Sequence, residues 1–222
     1  TRHMEVVPDA LASLERDLAA TYFLNASIFQ SLPDSWAINQ LFPILPLHRL
    51  EEEPKQGAIL ADLTCDSDGR VDRFIGIRGT KRVLELHPPI ADQPYYLGIL
   101  LLGAYQEILG DIHNLFGDTH VVHVEIEPDG RPRLVHVQAG ERIEDVLTHV
   151  KYHGSELRST VRRHVEHALA MKQMSDEESA LFLRRYESSL HGYTYLTRAS
   201  AIPQGPPKKT GHSIEDSRSK QS

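Results

Sequence analysis

The apolar pattern of the chain changes at Gly140, and that change limits the folds open to it. Between Gly57 and Gln138 apolar residues come in brief runs cut by Gly and Pro, which reads as short strands and tight turns. Beyond Gly140 they recur at helical spacing, as in Ile143, Val146, Leu147 and Val150. Strands followed by helices, not alternating with them, give an α+β chain. With 222 residues it can bury a substantial core, as one domain or two.

Residues 58–63 are the first predicted strand, ending on a loop that holds Cys65 and turns at Gly69. Residues 71–77 and 81–86 are expected to pair about a turn at 78–80. Pro88, Pro89 and Pro94 bracket a surface loop before the apolar run 95–102, and a short helix is predicted over 103–110. Residues 121–127 and 132–138 make the clearest hairpin, with Pro128-Asp129-Gly130 as its turn. Helices are predicted over 155–171 and 176–190. Ser175 and Glu178 offer a capping box for the second, the serine accepting an N–H while the glutamate reaches back. Towards the N-terminus, Pro8-Asp9 can open a helix with the stripe Leu11, Leu14 and Leu18, ending near Thr21. Pro43, Pro46 and Pro54 prevent one long element after Trp36. The expected division is a connecting helix and strand at 1–35, a β-rich domain at 36–140, a helical domain at 141–196, and a disordered tail at 197–222, rich in Pro, Lys, Ser and Gly.

The chemistry concentrates in Asp62-Leu63-Thr64-Cys65-Asp66-Ser67-Asp68-Gly69. Cys65 is the sole cysteine, so it forms neither an internal disulfide nor a multi-thiolate metal site. Core filler, nucleophile and proton donor remain open to it. The adjacent Asp66 carboxylate raises the cost of a thiolate, which favours a neutral thiol acting as an acid, and it can also hold a cationic substrate. Asp62, Asp66, Asp68 and Asp72 lack the spacing of a calcium loop and read as a polar turn. Asp111, His113, His120, His123, His164 and His167 are of ligand type without forming a converging set. Tyr105, where a strand yields to a helix, is either a half-buried core tyrosine or a hydroxyl facing a ligand phosphate. A net charge of -7 argues against a general nucleic-acid or anionic-membrane surface, although thirteen histidines would offset it near pH 6. No segment reaches the roughly 20 apolar residues of a membrane span. One cysteine and no secretory-type hydrophobic stretch at the start lead us to expect a cytoplasmic chain.

Residues 29–38, 61–69, 103–110, 113–119 and 192–196 closely resemble, in consistent order, phrases from the C-terminal part of the biosynthetic arginine decarboxylases. The resemblance implies the β-rich C-terminal domain of an alanine-racemase-like fold, followed by a small helical domain. It implies pyridoxal phosphate as cofactor, polyamine biosynthesis as context, and conversion of L-arginine to agmatine and carbon dioxide. By resemblance Cys65 returns a proton to the substrate α-carbon, Asp66 recognises the distal cationic group across a dimer, and Tyr105 faces the cofactor phosphate. The family also suggests magnesium, for which no residue here is assigned. The α/β barrel that carries the family's Schiff-base lysine does not fit before Cys65. A fragment, a truncated product or half of a split enzyme is therefore expected, inactive alone and acting as a homo-oligomer or with a barrel-bearing chain. A non-catalytic assembly or regulatory protein derived from the β-domain is the alternative, its helices after Gly140 packing either on another subunit or on this chain's own core.

Overall fold

The computed structural model describes residues 14–77 and 79–197. In chain order these form α1 (Leu14–Asp17), β1 (Ala20–Phe23), α2 (Ile28–Ser31), α3 (Pro33–Ala37), β2 (Ile44–Pro46) and β3 (Gln56–Ala61). There follow β4 (Arg70–Val71), β5 (Phe74–Gly76), β6 (Gly79–Lys81), β7 (Leu84–Leu86), β8 (Leu97–Ile99) and α4 (Ala104–Ile108). The hairpin β9 (Val121–Ile126) and β10 (Pro132–Gln138) leads into α5 (Ile143–His149), α6 (Gly154–Ala170) and α7 (Asp176–Leu190). Strands therefore precede helices, and no sheet closes into a barrel among the described residues.

β3 is the centre of the main sheet. β1 runs parallel along one edge, with Tyr22 opposite Leu60. The other edge is shared by β7, antiparallel to residues 56–58, and β4, antiparallel to residues 60–61. Alternation sends Ala58 and Leu60 inward from β3 and Leu84 and Leu86 inward from β7. They meet Ile28 and Leu32 from the α2 region, with Val71 and Phe74, in one apolar cluster. At about 1.5–3 kcal/mol for each large side chain removed from water, this cluster outweighs any single polar contact in the sheet.

Two expectations need correcting. Residues 71–77 and 81–86 do not form one long pair: β5 and β6 close a small hairpin at Gly79, whose φ of 125° suits glycine alone. Leu84 and Leu86 go instead to β3, where both can be buried. Thr21 does not end a helix but lies in β1, as its β-favouring neighbours Tyr22 and Phe23 permit. The proposed start of that helix, with Pro8, Asp9 and Leu11, lies outside the described residues, as does the tail from 198 onward.

The helical part follows the 3.6-residue pattern closely. α7 starts at Ser175, whose hydroxyl accepts from the Glu178 N–H at 3.2 Å while Glu178 accepts from the Ser175 N–H at 3.0 Å. Arg158 on α6 joins the helices, donating to Glu144 of α5 at 2.6 and 2.8 Å and to Glu187 of α7 at 2.8 and 3.0 Å. Val146 is fully buried in this chain's own core, whereas Ile143 and Val150 stay partly exposed. After α7 the chain returns to the strand-rich part. Tyr195 donates to the Gly117 carbonyl at 2.8 Å, and Asn25 exchanges two 2.9 Å hydrogen bonds with the backbone of Leu196.

Candidate active site

Asp62 follows β3 and keeps the inward parity of Ala58 and Leu60, so strand alternation drives a carboxylate to 3% exposure. Its charge is met by three donors. The Ile28 N–H reaches Oδ2 at 2.8 Å, and the Thr64 N–H and hydroxyl reach Oδ1 at 2.8 Å each. The Asp62 N–H in turn donates to the Gly69 carbonyl at 2.8 Å. A Cβ on Gly69 would overlap Asp62 Oδ1, so glycine is required where the loop folds back. Asp62 thus fixes both ends of the loop 62–69 and ties it to α2.

The tip of that loop carries Cys65, which is exposed, and Asp66, which is partly exposed. A second segment grips it from the side. Asn114 adopts a φ of 53°, a conformation asparagine tolerates, and its Oδ1 accepts the Cys65 N–H at 2.9 Å. His113 stacks on Phe29 with ring centroids 4.4 Å apart and brings Nε2 to 3.9 Å from Asp66 Oδ2. Asp66 Oδ1 accepts the Asp68 N–H at 2.9 Å. The arrangement is a thiol and an acceptor carboxylate side by side on an open loop anchored by hydrogen bonds.

Tyr105 stands on α4, 74% exposed. No hydrogen bond or ring contact joins it to Cys65 or Asp66 among the described residues, so the structure keeps Cys65 and Asp66 together and Tyr105 on a neighbouring element. α4 is fixed to α3 by Gln106, which donates to Asp34 Oδ2 at 2.5 Å and accepts the Asp34 N–H at 3.2 Å. The chain then returns to α2, the Asp111 N–H donating to the Phe29 carbonyl at 3.0 Å. A Cβ on Gly110 would come within 2.5 Å of the Gln30 carbonyl oxygen, so this approach also needs glycine. Beside α4 a cleft of about 300 Å³ is lined by Gln30, Gly103, Gln106, Glu107, Asp118 and Gln138. Burial, then the nearby Glu141 and Glu107 carboxylates, push the Asp118 carboxyl above its ordinary range. Burial likewise raises the Tyr195 phenol.

The histidines are otherwise structural or superficial. His120 accepts the Gly140 N–H at 2.9 Å and stacks on Tyr193, while His123 and His136 form a cross-strand pair on β9 and β10. Among the described residues no group of three or more His, Cys, Asp or Glu could hold a metal ion. No helix there is long and apolar enough to cross a membrane. Asp62, His113 and Asn114 are the residues whose part in the site sequence reasoning missed. Asp62-x-Thr64 carries a local signal, the Asx-type turn in which a carboxylate accepts the N–H two residues on. The Asn114–Cys65 contact spans 49 residues and has no local signature.

Fold and site together define a β-rich domain with a helical extension that presents a thiol and a carboxylate on one anchored loop. Residues 143–196 match the arginine decarboxylase C-terminal helical extension family. The biosynthetic arginine decarboxylase of Gloeobacter violaceus is 54% identical over 200 residues, covering 88% of this chain and 31% of that protein. Biosynthetic arginine decarboxylase 1 of a Synechocystis species is 52% identical over 210 residues, covering 90% and 30% respectively. The crystal structure of the biosynthetic arginine decarboxylase SpeA from Campylobacter jejuni superposes with a TM-score of 0.70 at 32% identity, covering 80% of this chain and 29% of that one. The chain belongs to the biosynthetic arginine decarboxylase family and corresponds to its C-terminal region. It spans about three-tenths of the length of those relatives.

The groups around α4 are of a type compatible with a phosphate. Tyr105 offers an accessible hydroxyl, and the Gly103 backbone has open space beside it. α4, with five residues, is too short to serve as an anion site through its own dipole. The segments 62–69 and 103–116 contain no lysine.

Proposed function

We propose that this chain is the C-terminal portion of an arginine decarboxylase that converts L-arginine to agmatine and carbon dioxide in polyamine biosynthesis. The observation that carries the proposal is the exposed Cys65–Asp66 pair on a loop anchored by Asp62, within a chain of this family. Pyridoxal phosphate, when bound, supplies the electron sink for loss of the α-carboxylate. The residues of this chain have three tasks. The Asp66 carboxylate accepts N–H groups from the substrate guanidinium, a pairing that fixes direction as well as charge. Cys65 Sγ–H delivers a proton to the α-carbon that has lost carbon dioxide, and the thiolate regains one from solvent, so each turnover consumes one proton. The Tyr105 hydroxyl donates to the cofactor phosphate.

The reading divides the chain into a connecting segment to residue 35, a β-domain at 36–140 and a helical domain at 141–196. It requires a barrel-bearing partner segment for the lysine and the remaining phosphate contacts. The chain by itself is therefore expected to yield no agmatine. With the complete polypeptide, Asp66→Ala should weaken arginine use, read as kcat/KM, by ~2–5 kcal/mol, since a buried cationic partner is stranded. Equal arginine kinetics in wild type and variant would remove Asp66 from the site. Cys65→Ala should slow product formation and divert turnover to wrongly protonated product, and an unchanged product partition would exclude Cys65.

A second reading, a non-catalytic assembly protein, draws support from the β9–β10 hairpin. Val122, Val124, Ile126, Leu134 and Val137 are exposed there, an apolar surface of the kind that marks association. Light scattering on the chain with and without a barrel-bearing partner separates the two. Association without any gain of decarboxylation favours the second.

A further inference from the structure

Beyond the roles of Cys65, Asp66 and Tyr105, one side chain against the loop has no other explained purpose. His113 Nε2 is buried and meets no hydrogen-bond partner. Its ring plane is fixed by the stack on Phe29, itself a buried residue of α2. Asp66 Oδ2 lies 3.9 Å from Nε2, about 1 Å beyond a hydrogen bond. The other carboxylate oxygen is already engaged, Oδ1 accepting the Asp68 N–H at 2.9 Å. The next residue, Asn114, holds the Cys65 N–H. Residues 113 and 114 thus address the carboxylate and the thiol-bearing backbone in sequence order.

We propose that His113 is a positioning residue for Asp66, its Nε2–H donating to Asp66 Oδ2 so that the carboxylate presents a fixed face to a guanidinium or alkylammonium group. A modest rotation of the Asp66 side chain closes the gap, and it relieves an unsatisfied buried nitrogen in the same step. With the Asp68 N–H on one oxygen and His113 on the other, the carboxylate plane is set before the cation arrives, which reduces the ordering cost of binding. The inference rests on the assignment of Asp66 as the substrate carboxylate only in what the positioning is for. The contact itself is testable without it.

The first test uses the 222-residue chain labelled with nitrogen-15, with Asp66→Ala as the variant. Correlation spectra of the His113 ring should show the Nε2-protonated tautomer in wild type, with its ring proton exchanging about tenfold faster in the variant, the loss of one charge-assisted hydrogen bond. Identical exchange in both, or a wild-type ring protonated only on Nδ1, overturns the proposal. The second test uses the complete enzyme. His113→Phe keeps the stack and removes the donor, and should raise KM for arginine about five- to tenfold with kcat within about twofold. His113→Gln, which restores an N–H donor, should recover most of that change, whereas a purely structural role gives no such rescue and no KM–kcat split. If Asp66→Ala leaves arginine kinetics unchanged while the ring signal still responds, the function assigned to Asp66 fails and the contact stands. If the ring signal does not respond while Asp66→Ala impairs arginine use, the positioning role fails alone.

Discussion

Replacing Asp62 by alanine should unseat the whole Cys65 loop, and the size of the effect follows from its three hydrogen bonds. Each is 2.8 Å long and each ends on one buried carboxylate. Hydrogen bonds to a charged group contribute about 1.5–3 kcal/mol apiece, and bonds sharing one acceptor do not add fully. Asp62→Ala also leaves the Ile28 N–H buried with no acceptor. The expected loss is about 3–5 kcal/mol, a large part of the ~5–15 kcal/mol that holds a typical domain. For a chain of this length that lowers the melting temperature by about 6–20 °C. Asp62→Asn keeps one acceptor and turns an amide donor towards another donor, so roughly half that loss is expected. Urea unfolding followed by Trp36 fluorescence is the natural assay, because Trp36 is the sole tryptophan and packs 5.2 Å from Phe29, next to Ile28. Amide exchange at Ile28 and Thr64 should quicken together. A variant within about 1 kcal/mol of wild type, with both amides still protected, would refute the view that Asp62 seats the loop.

Gly110→Ala forces a methyl group against the Gln30 carbonyl and should cost about 2 kcal/mol, measured by the same unfolding curve. Tyr195→Phe strands the buried Gly117 carbonyl and should cost about 1–2 kcal/mol, with faster exchange of amides in residues 116–119. The Arg158 hydrogen bonds hold the Glu144 carboxyl below its ordinary value near 4.5. A carboxyl lowered in the folded state stabilises above that ordinary range and loses the contribution as pH falls through the lower folded value. Circular dichroism of the helices should therefore show a destabilisation below about pH 4.5 that Glu144→Gln reduces; an unchanged acid limb would count against the Arg158 junction.

The helices were the most legible part of the sequence. Ser175 and Glu178 lie three residues apart and α7 begins where they place it, because capping is a local interaction. The β9–β10 hairpin was equally readable, its turn chemistry lying between two runs of matched length. The main sheet was not. Leu84 and Leu86 pair with a strand nearly thirty residues earlier, and nothing in residues 81–86 distinguishes that partner from the adjacent β5. The site divided in the same way. Cys65, Asp66 and Tyr105 were singled out by residue type and familiar phrasing, whereas Asp62 looked like one more acid in a polar turn. Its importance comes from strand parity together with the Ile28 N–H, a donor 34 residues distant. In the sequence His113 reads only as a metal-type residue, and the folded chain brings it beside Asp66.

The reciprocal clasp between Asn25 and Leu196 closes a span of 171 residues. A ribosome working at about 5–20 residues per second leaves Asn25 exposed for roughly ten to thirty seconds before Leu196 is made. The core sheet and the seat of the Cys65 loop need only residues 20–116, so they are available early; the latch forms only after Leu196 has been made. A chain stalled before Leu196 therefore keeps an open amide beside Ser27 and the start of α2, with the residues that Tyr195 covers still wet. The arrival of residues 195 and 196 is written into the molecule as a physical state, which a protease or chaperone can read without sensing the sequence.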